Sequence, residues 1–134
     1  MQFNEDEKFK DLVSGLSEIS PFHLPKEIKL LVEGLGVEDT AKIIMEFGGE
    51  RMYSPKKRPS TSISRLSKLI GLDRVGLIFD ALRINGSFIE IPRTLVVLRF
   101  IRNKRILADL SAGMTIPAVA KKYGLTSRHI TNIK

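Results

Sequence analysis

Apolar residues recur along this chain at helical spacing, in short stretches punctuated by glycine and proline. Phe9, Leu12 and Val13 share one face, which predicts a first helix over 4–15. Ser20-Pro21 breaks it, and Pro25 suits the first helical position of the next, where its missing N–H costs nothing. That second helix carries Ile28, Leu30, Leu31 and Val32 and is expected to stop between Gly34 and Gly36. A third, over 38–47, carries Ala41, Ile43, Ile44, Met45 and Phe47 and ends at Gly48-Gly49. Arg51-Met52-Tyr53-Ser54 precedes Pro55, which disfavours the helical conformation in the residue before it, so this stretch reads as a short strand. Lys56 to Ser62 is basic and rich in proline and serine, the composition of a loop.

The pattern then repeats. Leu35-Gly36-Val37-Glu38 is echoed by Ile70-Gly71-Leu72-Asp73. The apolar positions Ile43, Ile44 and Phe47 return as Ile78, Phe79 and Leu82. Gly48-Gly49 returns as Asn85-Gly86 after a two-residue slip. Met52-Tyr53-Ser54-Pro55-Lys56 returns as Ile89-Glu90-Ile91-Pro92-Arg93. Two helix–helix–strand units in tandem follow, about 25–57 and 62–93. A lone strand after a helix pair lacks a partner, whereas two copies supply one to each other. Strands over 51–54 and 88–91 are therefore expected to form a two-stranded antiparallel ribbon over a small helical bundle. The fold class is mainly α, with a helical N-terminal region over 1–93.

After Pro92 a strongly apolar helix runs over 94–110, with Arg99, Arg102, Lys104 and Arg105 on its polar side and Ala112-Gly113 as its stop. The stretch from Ile116 to Ile130 then has the form of a helix-turn-helix, closing a C-terminal domain over 94–134. Two helices crossing through a tight turn need a small residue at the contact, here Ala120, and one tolerant of positive φ at the turn, here Gly124. Leu125, Ile130 and Ile133 return to the core opposite Val119 and Tyr123, Thr126 suits the N-cap, and Pro117 the first turn. The second helix then exposes Ser127, Arg128, His129, Thr131, Asn132 and Lys134, none of them acidic. Arginine pairs with guanine and asparagine with adenine in the major groove, so this face, with Thr126, is the candidate reading surface for double-stranded DNA.

Charge points the same way. The formal net charge is +7, but residues 1–50 hold 5 Lys and Arg against 11 Asp and Glu, leaving 17 basic against 4 acidic residues over 51–134. A basic segment of this kind is the electrostatic footprint of a nucleic-acid partner. Hydrophobic residues make up 43% of the chain, enough for a packed core rather than disorder. No apolar run reaches the roughly 18 residues of a membrane span, and the acidic start is no secretory signal, so a cytoplasmic location is expected. The absence of cysteine removes thiolate metal sites and disulfides, and His23 and His129 are far apart, so no metal or cofactor is expected. Ser14, Ser17 and Ser20 have no supporting basic cluster, so catalysis is not expected either.

Val119-Ala120-Lys121-Lys122-Tyr123-Gly124-Leu125-Thr126 and Gly48-Gly49-Glu50-Arg51-Met52-Tyr53-Ser54-Pro55-Lys56 together resemble the Mor family of phage middle-operon transcription activators. That family shows paired glycines, a strand of the form apolar-Tyr-x-Pro-basic, a helix and a helix-turn-helix. The resemblance covers most of the chain after about Leu31. It implies a DNA-binding activator of phage or mobile-element type that works as a dimer, brings its ribbon towards DNA and contacts RNA polymerase. On that basis Lys121, Lys122, Gly48, Gly49, Arg51, Tyr53, Lys56, Lys57, Asn85, Gly86 and Arg93 are candidates for the DNA backbone or minor groove. Two features depart from the family pattern: the chain holds two glycine-strand units, and no basic tail follows the second helix within the 134 residues. A single chain that closes its own ribbon offers one reading helix, so a homodimer formed elsewhere, or assembled on DNA, is expected for tight binding. The alternatives are a protein-interaction module that keeps the fold without DNA binding, and an accessory protein of DNA recombination.

Overall fold

A computed structural model describes residues 5–53, 61–82 and 88–134. Among them the chain forms eight helices and one two-stranded ribbon, in two compact units, Met1–Val97 and Leu98–Lys134. No described helix is long and apolar enough to cross a membrane.

In the first unit, α1 (Glu5–Glu18) runs one turn beyond the expected stop at Gly15 and packs on α3, with Leu12 and Leu16 buried. A single 3-10 turn, Pro21–His23, leads to α2 (Lys26–Leu35). Pro25 is the residue before this helix rather than its first member, with φ −54° and ψ 147°. Gly34 continues the helix, and its bare Cα lies against Leu77; the break falls at Gly36, at φ +88°. Helix α3 (Val37–Phe47) follows, then strand β1 (Arg51–Tyr53). The second copy is α4 (Thr61–Ile70), a break at Gly71 with φ +93°, α5 (Leu72–Leu82) and β2 (Phe88–Glu90). The order helix, helix, strand thus occurs twice, each time with a glycine at positive φ between the two helices.

The two copies pair with each other through their strands and helices. Helix α2 packs on α5 and, reciprocally, α4 on α3. The ribbon is antiparallel, with Met52 opposite Ile89 and Arg51 and Tyr53 opposite Glu90 and Phe88. Met52 and Ile89 are counterparts in the repeat, so the central pair of the ribbon lies where a two-fold axis would pass. Their neighbours in the core are also matched pairs: Leu31 with Leu66, Leu35 with Ile70, Ile43 with Ile78 and Phe47 with Leu82. A second pair of counterparts meets in an ion pair, Asp39 with Arg74, and Arg74 also donates to the Leu35 carbonyl at the end of α2.

The ribbon continues past its strands. The Gly49 N–H donates to the Ile91 carbonyl at 2.8 Å, and the Ile91 N–H to the Glu50 carbonyl at 3.0 Å. Arg65 on α4 grips Glu50 through both guanidinium nitrogens, at 2.5 and 3.0 Å, and lies over the Phe47 ring. Thr94, the first residue of α6 (Thr94–Ser111), donates its hydroxyl to the Ile44 carbonyl at 3.0 Å, which fixes the helix start to the end of α3.

One core position breaks the symmetry of polarity. Thr40 is fully buried and its hydroxyl has no hydrogen-bond partner, while its counterpart Val75 is apolar. A buried hydroxyl left unpaired costs on the order of 1–3 kcal/mol. Thr40→Val keeps the shape and removes the polar group, so it is expected to stabilise the fold by about 1 kcal/mol. Urea unfolding of the two proteins measures this directly, and an unchanged or lower midpoint counts against it.

Candidate nucleic-acid interface

The second unit is built from the later part of α6 with α7 (Ile116–Tyr123) and α8 (Ser127–Ile133). Helix α6 ends where Gly113 turns into positive φ, at +104°. Thr115 then caps α7, its hydroxyl accepting the Ala118 N–H at 3.3 Å, with Pro117 in the first turn. The sequence reading missed Thr115; a threonine two residues before a proline was the signal. Gly124 ends α7 in the left-handed region (φ +68°, ψ 33°), and the Leu125 N–H reaches back to the Ala120 carbonyl at 2.9 Å. Thr126 caps α8 by accepting the His129 N–H at 3.0 Å. The turn is therefore three residues, Gly124, Leu125 and Thr126, each with a local reason to be there.

This turn closes over a small core. Ile106, Val119, Ala120 and Ile130 are buried, with Leu110, Met114, Ile116, Tyr123, Leu125 and Ile133 packed around them. Ala120 sits at the contact as expected. Thr126, Ser127, Arg128, His129, Thr131, Asn132 and Lys134 are all exposed, with Ile130 turned inward between them. Arg128 and Asn132 are one helical turn apart and so share a face. The Thr131 hydroxyl donates to the Ser127 carbonyl at 3.0 Å, which leaves its oxygen as an acceptor for an outside donor.

One acid organises the base of the motif. Asp109 on α6 accepts from Lys122 Nζ at 2.8 Å and from the Tyr123 hydroxyl at 2.7 Å, both on the same oxygen. Those two hydrogen bonds, that of Lys122 first, hold the Asp109 carboxyl below its usual range. The same contact raises Lys122, while burial and then Asp109 raise Tyr123. Lys122, a backbone candidate from its sequence position, is thus paired with Asp109 within the protein, and both it and Lys121 are exposed. Asp109 had not been singled out, although it is the one acid after Glu90 in the sequence.

The unit boundary sharpens the charge asymmetry. From Leu98 on there are eight lysines and arginines against Asp109 alone, a formal +7; before Leu98 basic and acidic residues balance at fourteen each. The whole net charge of the chain therefore belongs to the unit with the helix-turn-helix.

The remaining candidates lie in the first unit. Gly48 caps α3; a Cβ there would stand 2.5 Å from the Ile44 carbonyl and 3.1 Å from that of Pro92, so the close approach this glycine permits is by its own chain. Gly49 has φ +85° and lies against the Arg93 side chain. Arg51 is exposed and stacks over Phe88, 4.8 Å from its ring centre. Of Tyr53 only the backbone is described, and Lys56, Lys57, Asn85 and Gly86 lie outside the described residues. Comparison with family models, curated proteins and solved structures finds no match for this chain.

The Asp109 contact carries a pH signature. A carboxyl held below its ordinary value contributes stability that is complete above that value, 3.8, and is lost as the pH falls through the lower folded value. Asp109→Asn is expected to lower the melting temperature at neutral pH, with the gap from the unaltered chain closing as the pH falls below 3.8. A gap that stays constant across this range would show that the carboxylate charge is not what holds Lys122 and Tyr123.

Proposed function

We propose that this chain is a sequence-specific double-stranded-DNA-binding regulator of transcription, in which α8 reads base edges in the major groove. The observation that carries the reading is the outer face of α8: capped, set by a three-residue turn, fully exposed and free of acid, in a unit that holds the entire net charge. Arg128 offers the forked donors that match guanine, and Asn132 on the same face offers the donor and acceptor that match adenine. Ser127, Thr126 and Lys121 are suited to phosphates, which position the helix without reading sequence. The Mor-like glycine-strand and helix-turn-helix segments support activation, through contact with RNA polymerase, as the direction of regulation.

Arg128→Ala and Asn132→Ala should each weaken binding to a cognate duplex by roughly 1–3 kcal/mol, about 5- to 150-fold, with the fold intact. Competition against a scrambled duplex should show the loss confined to specific binding. Equal affinity of both variants for the cognate site would remove α8 from the reading role.

Binding should also fall steeply with salt. With most of the seven cations of this unit other than Lys122 near phosphates, log K should decline against log salt with a slope of roughly −4 to −6. A flat response would favour a protein-interaction module over a DNA-binding one.

A further inference from the structure

In the first unit the two helix–helix–strand copies already pair with each other within one chain. In a homodimer of a single helix–helix–strand unit, each residue on the two-fold faces its own copy. Here the residues on that axis face their counterparts within one chain: Met52 meets Ile89 and Asp39 meets Arg74. The charge pair decides between partners. Two first copies brought together in the same way would set Asp39 against Asp39, and two second copies Arg74 against Arg74. Only the mixed pairing is attractive, and the chain makes it internally. Yet the product is not symmetric in what it carries. The first copy leads from β1 into α4, and only the second leads, through α6, into a helix-turn-helix.

We infer that a single chain recognises a non-palindromic duplex, with one helix-turn-helix per site. This rests on the reading of α8 proposed above. Palindromic operators mirror the two-fold of the protein that reads them. This chain has spent its two-fold on folding and presents one reading helix among the described residues. The contribution a second half-site would make falls instead to charge, since a formal +7 within Leu98–Lys134 supplies sequence-independent phosphate contacts to hold one short reading helix in place.

The test is selection by the full chain from a pool of duplexes randomised over more than two helical turns, followed by sedimentation of the chain with the selected duplex. The expected result is a motif without internal two-fold symmetry and a complex of one chain per duplex. A second, inverted copy of the motif one helical turn away should change apparent affinity by no more than about twofold, the statistical factor for independent sites. An inverted-repeat motif, or two chains bound cooperatively, would overturn the inference and leave the α8 reading standing. No enrichment of any motif over the pool would overturn both.

Discussion

A helix pair followed by a three-residue strand cannot close on itself, and the rest of the first unit follows from how that shortfall is met. A ribbon of three residue pairs is marginal in water. It persists here because Met52 and Ile89 turn inward from its centre onto a core of matched residues from both repeats. Burying one such side chain contributes about 1.5–3 kcal/mol, whereas a partly exposed ion pair contributes about 0–1 kcal/mol. The apolar core therefore supplies the stability. Asp39 with Arg74 supplies what the core cannot: a core of Leu31, Leu66, Leu35 and Ile70 is almost indifferent to which copy pairs with which, but charge is not.

The helix-turn-helix is determined by other means. Its geometry is written in local backbone chemistry: a threonine at each N-cap, a left-handed glycine between the helices and a proline in the first turn of α7. These act within a few residues of sequence, so they specify the turn without help from distant contacts. The long-range part is the small core around Ile106, Val119 and Ile130 and the grip of Asp109 on Lys122 and Tyr123.

That division explains how much could be read from the sequence. Periodicity and glycine placement located the helices, the strands and the repeat, because those signals are local and the chain states them twice. The N-terminal bound of α2 moved by one residue because proline suits both the N-cap and the first helical position. The C-terminal end of α1 moved because a glycine such as Gly15 is tolerated inside a helix that has a partner to pack on. The ion pairs were not legible. Asp39 with Arg74, Glu50 with Arg65, and Asp109 with Lys122 join residues far apart in sequence, and no local pattern names the partner. The position of Lys122 made it a candidate for the DNA backbone, but gave no sign of its pairing with Asp109. The pairing of the two copies could be suspected from the repeat, but that Met52 meets Ile89 and Asp39 meets Arg74 is a property of register, which sequence leaves open.

The separation of charge between the units is itself a physical solution. A formal +7 within a segment as short as Leu98–Lys134 repels itself, and self-repulsion destabilises a compact state. If that charge were placed over the repeat, it would oppose an interface whose pairing is sorted by the ion pairs Asp39–Arg74 and Glu50–Arg65. Confining it to the second unit leaves the first formally neutral, so the repeat can sort its pairing by the sign at Asp39 and Arg74. Within the second unit the repulsion is met by the apolar contacts of Ile106, Val119 and Ile130. Its one acid faces the joint between α6 and α7 and leaves the outer face of α8 without a negative charge. An aspartate at Arg128 or Asn132 would balance the unit equally well by count. It would also place an anion on the face that a phosphate backbone must approach, so what matters is the position of the acid rather than the total charge.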